Sequence, residues 1–169
     1  MMSQIFSRTR LAMGVLFSGV ILSANVACAQ AAKQLVGTWR LISATTEQGD
    51  KTNPTYGLNP KGILAVDANG RYAIVTMRAD LPKVASGTRT TTTSGENQAL
   101  VAGSIAHFGS ISVNKTGTVL IFKVENSTFP NWDGTEQKWP FNISREELRF
   151  AVPDASGGGT ALTAWRRVN

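Results

Sequence analysis

The side chains best placed to do chemistry in this 169-residue chain lie in a short stretch: His107, Lys123, Glu125 and Ser127. His107 is the single histidine and Cys28 the single cysteine. A zinc site needs several His or Cys ligands converging, and an internal disulfide needs two cysteines, so neither is available. No metal and no cofactor are expected. His107 beside Glu125 would make a general acid/base pair able to move a proton, whereas His107 alone reads as a structural hydrogen-bonding residue. Lys123, Glu125 and Ser127 recur at every second position. In an extended segment they share one face with Ile121, while Leu120, Phe122, Val124, Asn126 and Thr128 share the other. Either the charged face meets water and the apolar face meets the core, or the charged face orients a largely apolar ligand in an enclosed space.

Around these lie further groups of use to a ligand. Phe129-Pro130-Asn131-Trp132-Asp133-Gly134 has the chemistry of a turn, because proline ends a strand ladder and Asp-Gly supplies positive φ. Phe129 and Trp132 are large for a turn; they either plug an opening or line a ligand entrance, with Asn131 between them. Gln137 and Trp139 alternate into the following segment, where Gln137 could offer an amide. Tyr56 and Tyr72 are possible hydroxyl donors. The chain contains no Gly-x-Ser-x-Gly, no phosphate-binding Gly-x-x-x-x-Gly-Lys and no dinucleotide Gly-x-Gly-x-x-Gly.

Short runs of β-branched and aromatic residues, broken by Gly, Asn, Asp and Pro about every ten positions, must position these groups. The expected strands are Gly37–Thr46, Gly62–Val66, Tyr72–Arg78, His107–Val113, Thr118–Ser127, Thr135–Ile143, Glu147–Val152 and Thr160–Val168. Ala68-Asn69-Gly70 and Asn114-Lys115-Thr116-Gly117 are hairpin turns between them. The pattern predicts an all-β fold, a single antiparallel barrel of eight to ten strands, with one short helix over residues 97–106 behind the capping box Thr93-Ser94-Gly95-Glu96. Residues 81–93 read as a long loop that acts as a lid or entrance, or as a plain connection.

Residues 1–29 have the build of a secretory signal. Arg8 and Arg10 precede an apolar run from Leu11 to Leu22, and Ala27-Cys28-Ala29 supplies the small residues of a cleavage site, with cleavage expected after Ala29 or Ala31. The run is shorter than the roughly 20 apolar residues of a permanent span, so no stable membrane insertion is expected after cleavage. Asn25 lies where lipoprotein processing of Cys28 would want a bulky aliphatic residue. The chain is therefore expected in the periplasm or secreted, with residues 30–169 as its one domain. Removal of Arg8 and Arg10 lowers the formal charge from +6 to +4. The remaining basic residues form no run or stripe, and no nucleic-acid partner is expected.

Gly37-Thr38-Trp39 near one end, and Trp165-Arg166-Arg167 near the other, resemble the Gly-x-Trp opening and the closing arginine of a lipocalin barrel. An arginine over the Trp39 indole would close the base through a cation–π contact. The wider sequence is similar to the bacterial and fungal lipocalin-like domain family. The match runs through Leu35–Leu41, Tyr56-Gly57-x-Asn59-Pro60-Lys61-Gly62, Ala68–Tyr72 and Phe129-Pro130-Asn131-Trp132-x-Gly134-Thr135-Glu136-Gln137. The resemblance implies a small barrel with an internal cavity, and it implies no reaction. Gly37, Trp39, Arg166 and Arg167 then belong to barrel closure. Tyr72, His107, Phe122, Lys123, Glu125, Ser127, Phe129, Asn131, Trp132 and Gln137 are the candidate ligand contacts. The expected partner is a small apolar or amphipathic molecule such as a lipid, polyketide or pigment. A cofactor-independent isomerase, cyclase or hydratase using Glu125 or His107, and an envelope interaction module, are the alternatives; the oligomeric state is open.

Overall fold

The computed structural model describes residues 28–168. The expected signal segment lies outside the described residues, apart from Cys28 and Ala29. The elements in chain order are helix α1 over residues 28–35, strands β1 (Gly37–Gln48), β2 (Lys51–Pro54), β3 (Lys61–Val66) and β4 (Arg71–Met77), helix α2 (Ser94–Ala102), then β5 (Ser104–Val113), β6 (Val119–Ser127), β7 (Glu136–Ile143), β8 (Glu147–Val152) and β9 (Thr160–Val168). Neighbours in sequence pair antiparallel from β3 round to β9, and β1 closes the ring by pairing with both β3 and β9. Eight strands thus make a closed barrel, and β2 adds a short ninth beside the far end of β1.

Closure follows from the alternation of side chains. Leu120, Phe122 and Val124 on β6, Trp139 and Phe141 on β7, and Leu148, Phe150 and Val152 on β8 are all buried, while the residues between them face outward and are exposed to varying degrees. A sheet with one apolar face buries it completely by curling on itself, and closure leaves the barrel strands no free edge. Two irregularities interrupt the ladders. On β1 the register against β9 slips between Leu41 and Ser43, and on β6 the residue Glu125 is extra opposite Phe108 and Gly109. The second slip requires a glycine: a Cβ on Gly109 would sit 2.0 Å from the Lys123 carbonyl oxygen. Beyond this bulge the alternation resets, because Ser127 pairs directly with inward-facing His107.

The expected strands are present at their expected places. Three local expectations change. β2 lacks apolar alternation and was not foreseen from the sequence. The capping box is present, with the Thr93 side chain accepting from the Glu96 amide, but the helix starts at Ser94 and stops at Ala102 instead of reaching Ala106. Gly103 is its C-cap, with the amide making the last helical bond to the Ala99 carbonyl, after which the chain joins β5 and pairs with β4. Finally, α1 brings buried Ala31 and Leu35 into the core.

One end of the barrel is closed by α1 and by Trp39, which is wholly buried and donates its indole N–H to the Leu35 carbonyl at 2.9 Å. The Arg167 guanidinium lies 4.1 Å from the centre of the Trp39 ring. Its nitrogens donate to the carbonyls of Val36 (2.9 Å), Arg145 (2.8 Å) and Gln34, tying α1 and the β7–β8 turn to the barrel base. Gly37, at φ +132°, makes room for that guanidinium: a Cβ there would lie 2.6 Å from its Nη1. Arg166, the other arginine expected at the closure, faces outward between Arg40 and Glu147 on the neighbouring strands. Alternation along β9 allows only one of two adjacent residues to reach the base.

Candidate ligand-binding site

The opposite end of the barrel holds a cavity of about 350 Å³. Its walls come from the far end of β1 (Ala44, Thr46), the ends of β4 and β8 (Thr76, Val152) and the starts of β5, β7 and β9 (His107, Trp139, Ala161). Phe129 and Trp132, on the 3-10 turn after β6, line one side of the mouth, and Val101 and Ala102 from the end of α2 line another. Helix α2 buries none of its own residues, so it sits on the opening and not in the core.

Aromatic rings dominate the depth of the site. Trp139, Phe150 and Trp165 stack in a row, with centroids 5.2 and 5.8 Å apart and planes within 23° and 19°. Trp132 presents its ring perpendicular to His107 at 5.4 Å, and Trp139 does the same at 5.9 Å. His107 is only 5% exposed, and burial pushes its pKa down to about 4, so the ring is neutral near pH 7. Its Nδ1 is 2.8 Å from the Tyr72 hydroxyl, and its Nε2 has no hydrogen-bond partner among the described residues. Burial also raises the Tyr72 pKa, with a smaller contribution from the Glu125 charge, so the phenol keeps its proton.

A second polar group stands nearby. Thr76 is 6% exposed and its Oγ1 has no hydrogen-bond partner among the described residues. The hydroxyl is near enough to Tyr56 to offset part of the pKa rise that burial imposes on that phenol, yet the two do not meet in hydrogen-bonding geometry. A buried hydroxyl left without a partner costs about 1–3 kcal/mol. Thr76 and His107 face the same interior from adjacent strands, a diagonal step apart, since Thr76 pairs with Ile105 and Ile74 with His107.

A scan against protein families matches residues 36–168 to the lipocalin-like domain. The chain belongs to the lipocalin-like domain family. No curated protein matches the sequence. Among solved structures, a point variant of the fluorescent protein UnaG resembles the chain at 12% identity, covering 81% of this chain and 98% of its own, with a TM-score of 0.37.

Within this lipocalin-like barrel the candidate contacts separate cleanly. His107, Phe129 and Trp132 line the cavity. Tyr72 stands behind His107, and Phe122, fully buried, packs between Tyr72 and Trp139 at 4.8 and 4.1 Å. Ser127 faces inward by register but is engaged in the turn, where its hydroxyl accepts from the Phe129 amide at 2.9 Å. Gln137, half-buried opposite Phe122, donates to the Thr135 hydroxyl, and Asn131 is exposed.

Two expectations must be corrected. Lys123 and Glu125 point away from the cavity, and both are exposed. Glu125 forms a bidentate ion pair with Arg71 on the outer surface, which holds its carboxyl below the usual range. The apolar residues Leu120, Phe122 and Val124 take the inward positions because burying them is far more favourable than burying a carboxylate and an ammonium. His107 and Glu125 therefore do not meet, and the acid/base pair that would have motivated an enzyme is not formed. Thr76 was missed. Its signal is present in the sequence as a threonine in the inward series Tyr72, Ile74, Thr76.

Proposed function

We propose that this protein holds a small, largely apolar molecule in the mouth of its barrel, and that it does so after export. The observation that supports the reading is the cavity of about 350 Å³, lined by Trp132, Trp139, Phe150 and Trp165 and left unfilled by the side chains of the described residues. Apolar walls with a few polar groups are the usual composition of a small-molecule site. The family itself implies no reaction. Export is supported by the signal pattern of residues 1–29, and cleavage after Ala29 would leave Ala31 in the closed end where it is buried.

The test is native mass spectrometry of protein recovered from the periplasmic or secreted fraction, together with titration by the neutral dye Nile red. The expected result is a chain beginning at Gln30 that binds one dye per molecule with enhanced emission. Ala161→Trp, which fills the lumen, should abolish the enhancement. Dye emission that is unchanged in wild type, or equal in wild type and Ala161→Trp, would overturn the reading.

A further inference from the structure

The polarity of the cavity restricts its ligand more narrowly than size does. No Asp, Glu, Lys or Arg is among the residues that line it, and His107 is neutral near pH 7. A carboxylate or phosphate would enter without a counter-charge, and a cation would enter without an anion, each at a desolvation cost that no opposite charge in the site offsets. Fatty-acid carboxylates and other anionic amphiphiles are thus poor occupants. The walls favour flat π-systems, because Trp132, Trp139, Phe150 and Trp165 line them with aromatic surface.

One hydrogen bond in the wall sets the polar requirement. A phenol oxygen is a weak acceptor and a neutral imidazole nitrogen a strong one, so the Tyr72 O–H donates to His107 Nδ1. That donation fixes the tautomer with the proton on Nε2. The Nε2 atom has no partner among the described residues, and the His107 ring lines the cavity. A group nine-tenths buried therefore brings an N–H donor with no partner among the described residues to a chamber whose other polar side chains are the hydroxyls of threonines, serines and Tyr56.

Building on the ligand-binding reading, we infer that the site takes an uncharged aromatic compound bearing a carbonyl-type acceptor, with His107 Nε2–H donating to that oxygen and the tryptophans stacking on the ring. Tyr72 is the positioning residue: it touches His107 and not the ligand. Thr76, a diagonal step away, lines the same cavity.

Three probes of one shape separate the parts of this inference: acetylnaphthalene (neutral acceptor), ethylnaphthalene (no acceptor) and naphthoate (anion), followed by tryptophan quenching at pH 7. Acetylnaphthalene should bind about tenfold more tightly than either of the others, the ratio expected for one buried hydrogen bond. His107→Phe should bring acetylnaphthalene to the level of ethylnaphthalene while leaving ethylnaphthalene binding within about twofold, which also reports an intact fold. Tyr72→Phe, which keeps the imidazole but frees its tautomer, should reduce the same preference while leaving ethylnaphthalene unaffected. Tightest binding by naphthoate, or a preference that survives His107→Phe, would overturn the inference and leave ligand binding standing. Failure of all three probes to bind would instead count against the ligand-binding reading itself.

Discussion

At the closed end of the barrel the polar groups near the core are satisfied by the chain: the Trp39 N–H reaches Leu35, and Arg167 reaches three carbonyls as well as the Trp39 ring. At the mouth, His107 Nε2 and the Thr76 hydroxyl have no partners among the described residues, around a space that none of the described side chains fills. Both ends use tryptophans, but Trp39 is packed on all sides while Trp132, Trp139 and Trp165 border the cavity. Packing that satisfies every group holds a structure together, whereas unsatisfied buried groups are sustained where something else can complete them.

The largest effect should come from the closed end. Trp39→Ala removes a fully buried indole with its hydrogen bond and should lower stability by about 3–5 kcal/mol, measured by urea unfolding. Arg167→Lys keeps the charge but loses the fork that reaches several carbonyls at once, and should cost less, about 1–2 kcal/mol. A loss below 1 kcal/mol for Trp39→Ala would mean that this end is not the structural one.

At the mouth the expected signature is a pH dependence. His107 has a folded pKa of about 4 against about 6.5 when unfolded, so the unfolded chain binds the extra proton first as pH falls. The neutral ring's contribution is full above about pH 6.5 and is lost as pH falls toward 4; the difference amounts to about 3 kcal/mol. Unfolding curves of wild type and His107→Phe between pH 7 and pH 4 should diverge in that window, with the variant losing less. Parallel curves would show that His107 is not held neutral by burial. The smallest effect belongs to the outer face: Glu125→Gln breaks an exposed ion pair and should leave probe binding unchanged. A change in binding would place Glu125 in communication with the cavity after all.

How legible this was differs by residue. Trp39, with Gly37 and an arginine on the last strand, was legible through the resemblance to the opening and closing residues of a lipocalin barrel. Which arginine closes the base needed the register, since Arg166 and Arg167 differ only in the side of β9 they occupy. On β6 the apolar and charged faces were distinct in the sequence, yet which one pointed inward stayed open. The bulge at Glu125 was invisible there: an inserted residue changes no residue type, only the pairing. His107 could be singled out as the sole histidine, but its partner could not. Tyr72 lies on a different strand, and the carboxylate that spacing suggested is on the other side of the sheet.

The sequence by itself determined the antiparallel strands, most of their turns, the capping box of α2 and the barrel family, since alternation, turn residues and caps act over a few neighbouring positions. Only the tertiary structure decided that Arg167 rather than Arg166 lies on Trp39, that Glu125 meets Arg71 in solvent, and that His107 meets Tyr72 at a cavity with Thr76 beside it. Those outcomes depend on register and closure across strands distant in the chain, where a shift of one residue turns every side chain to the opposite face.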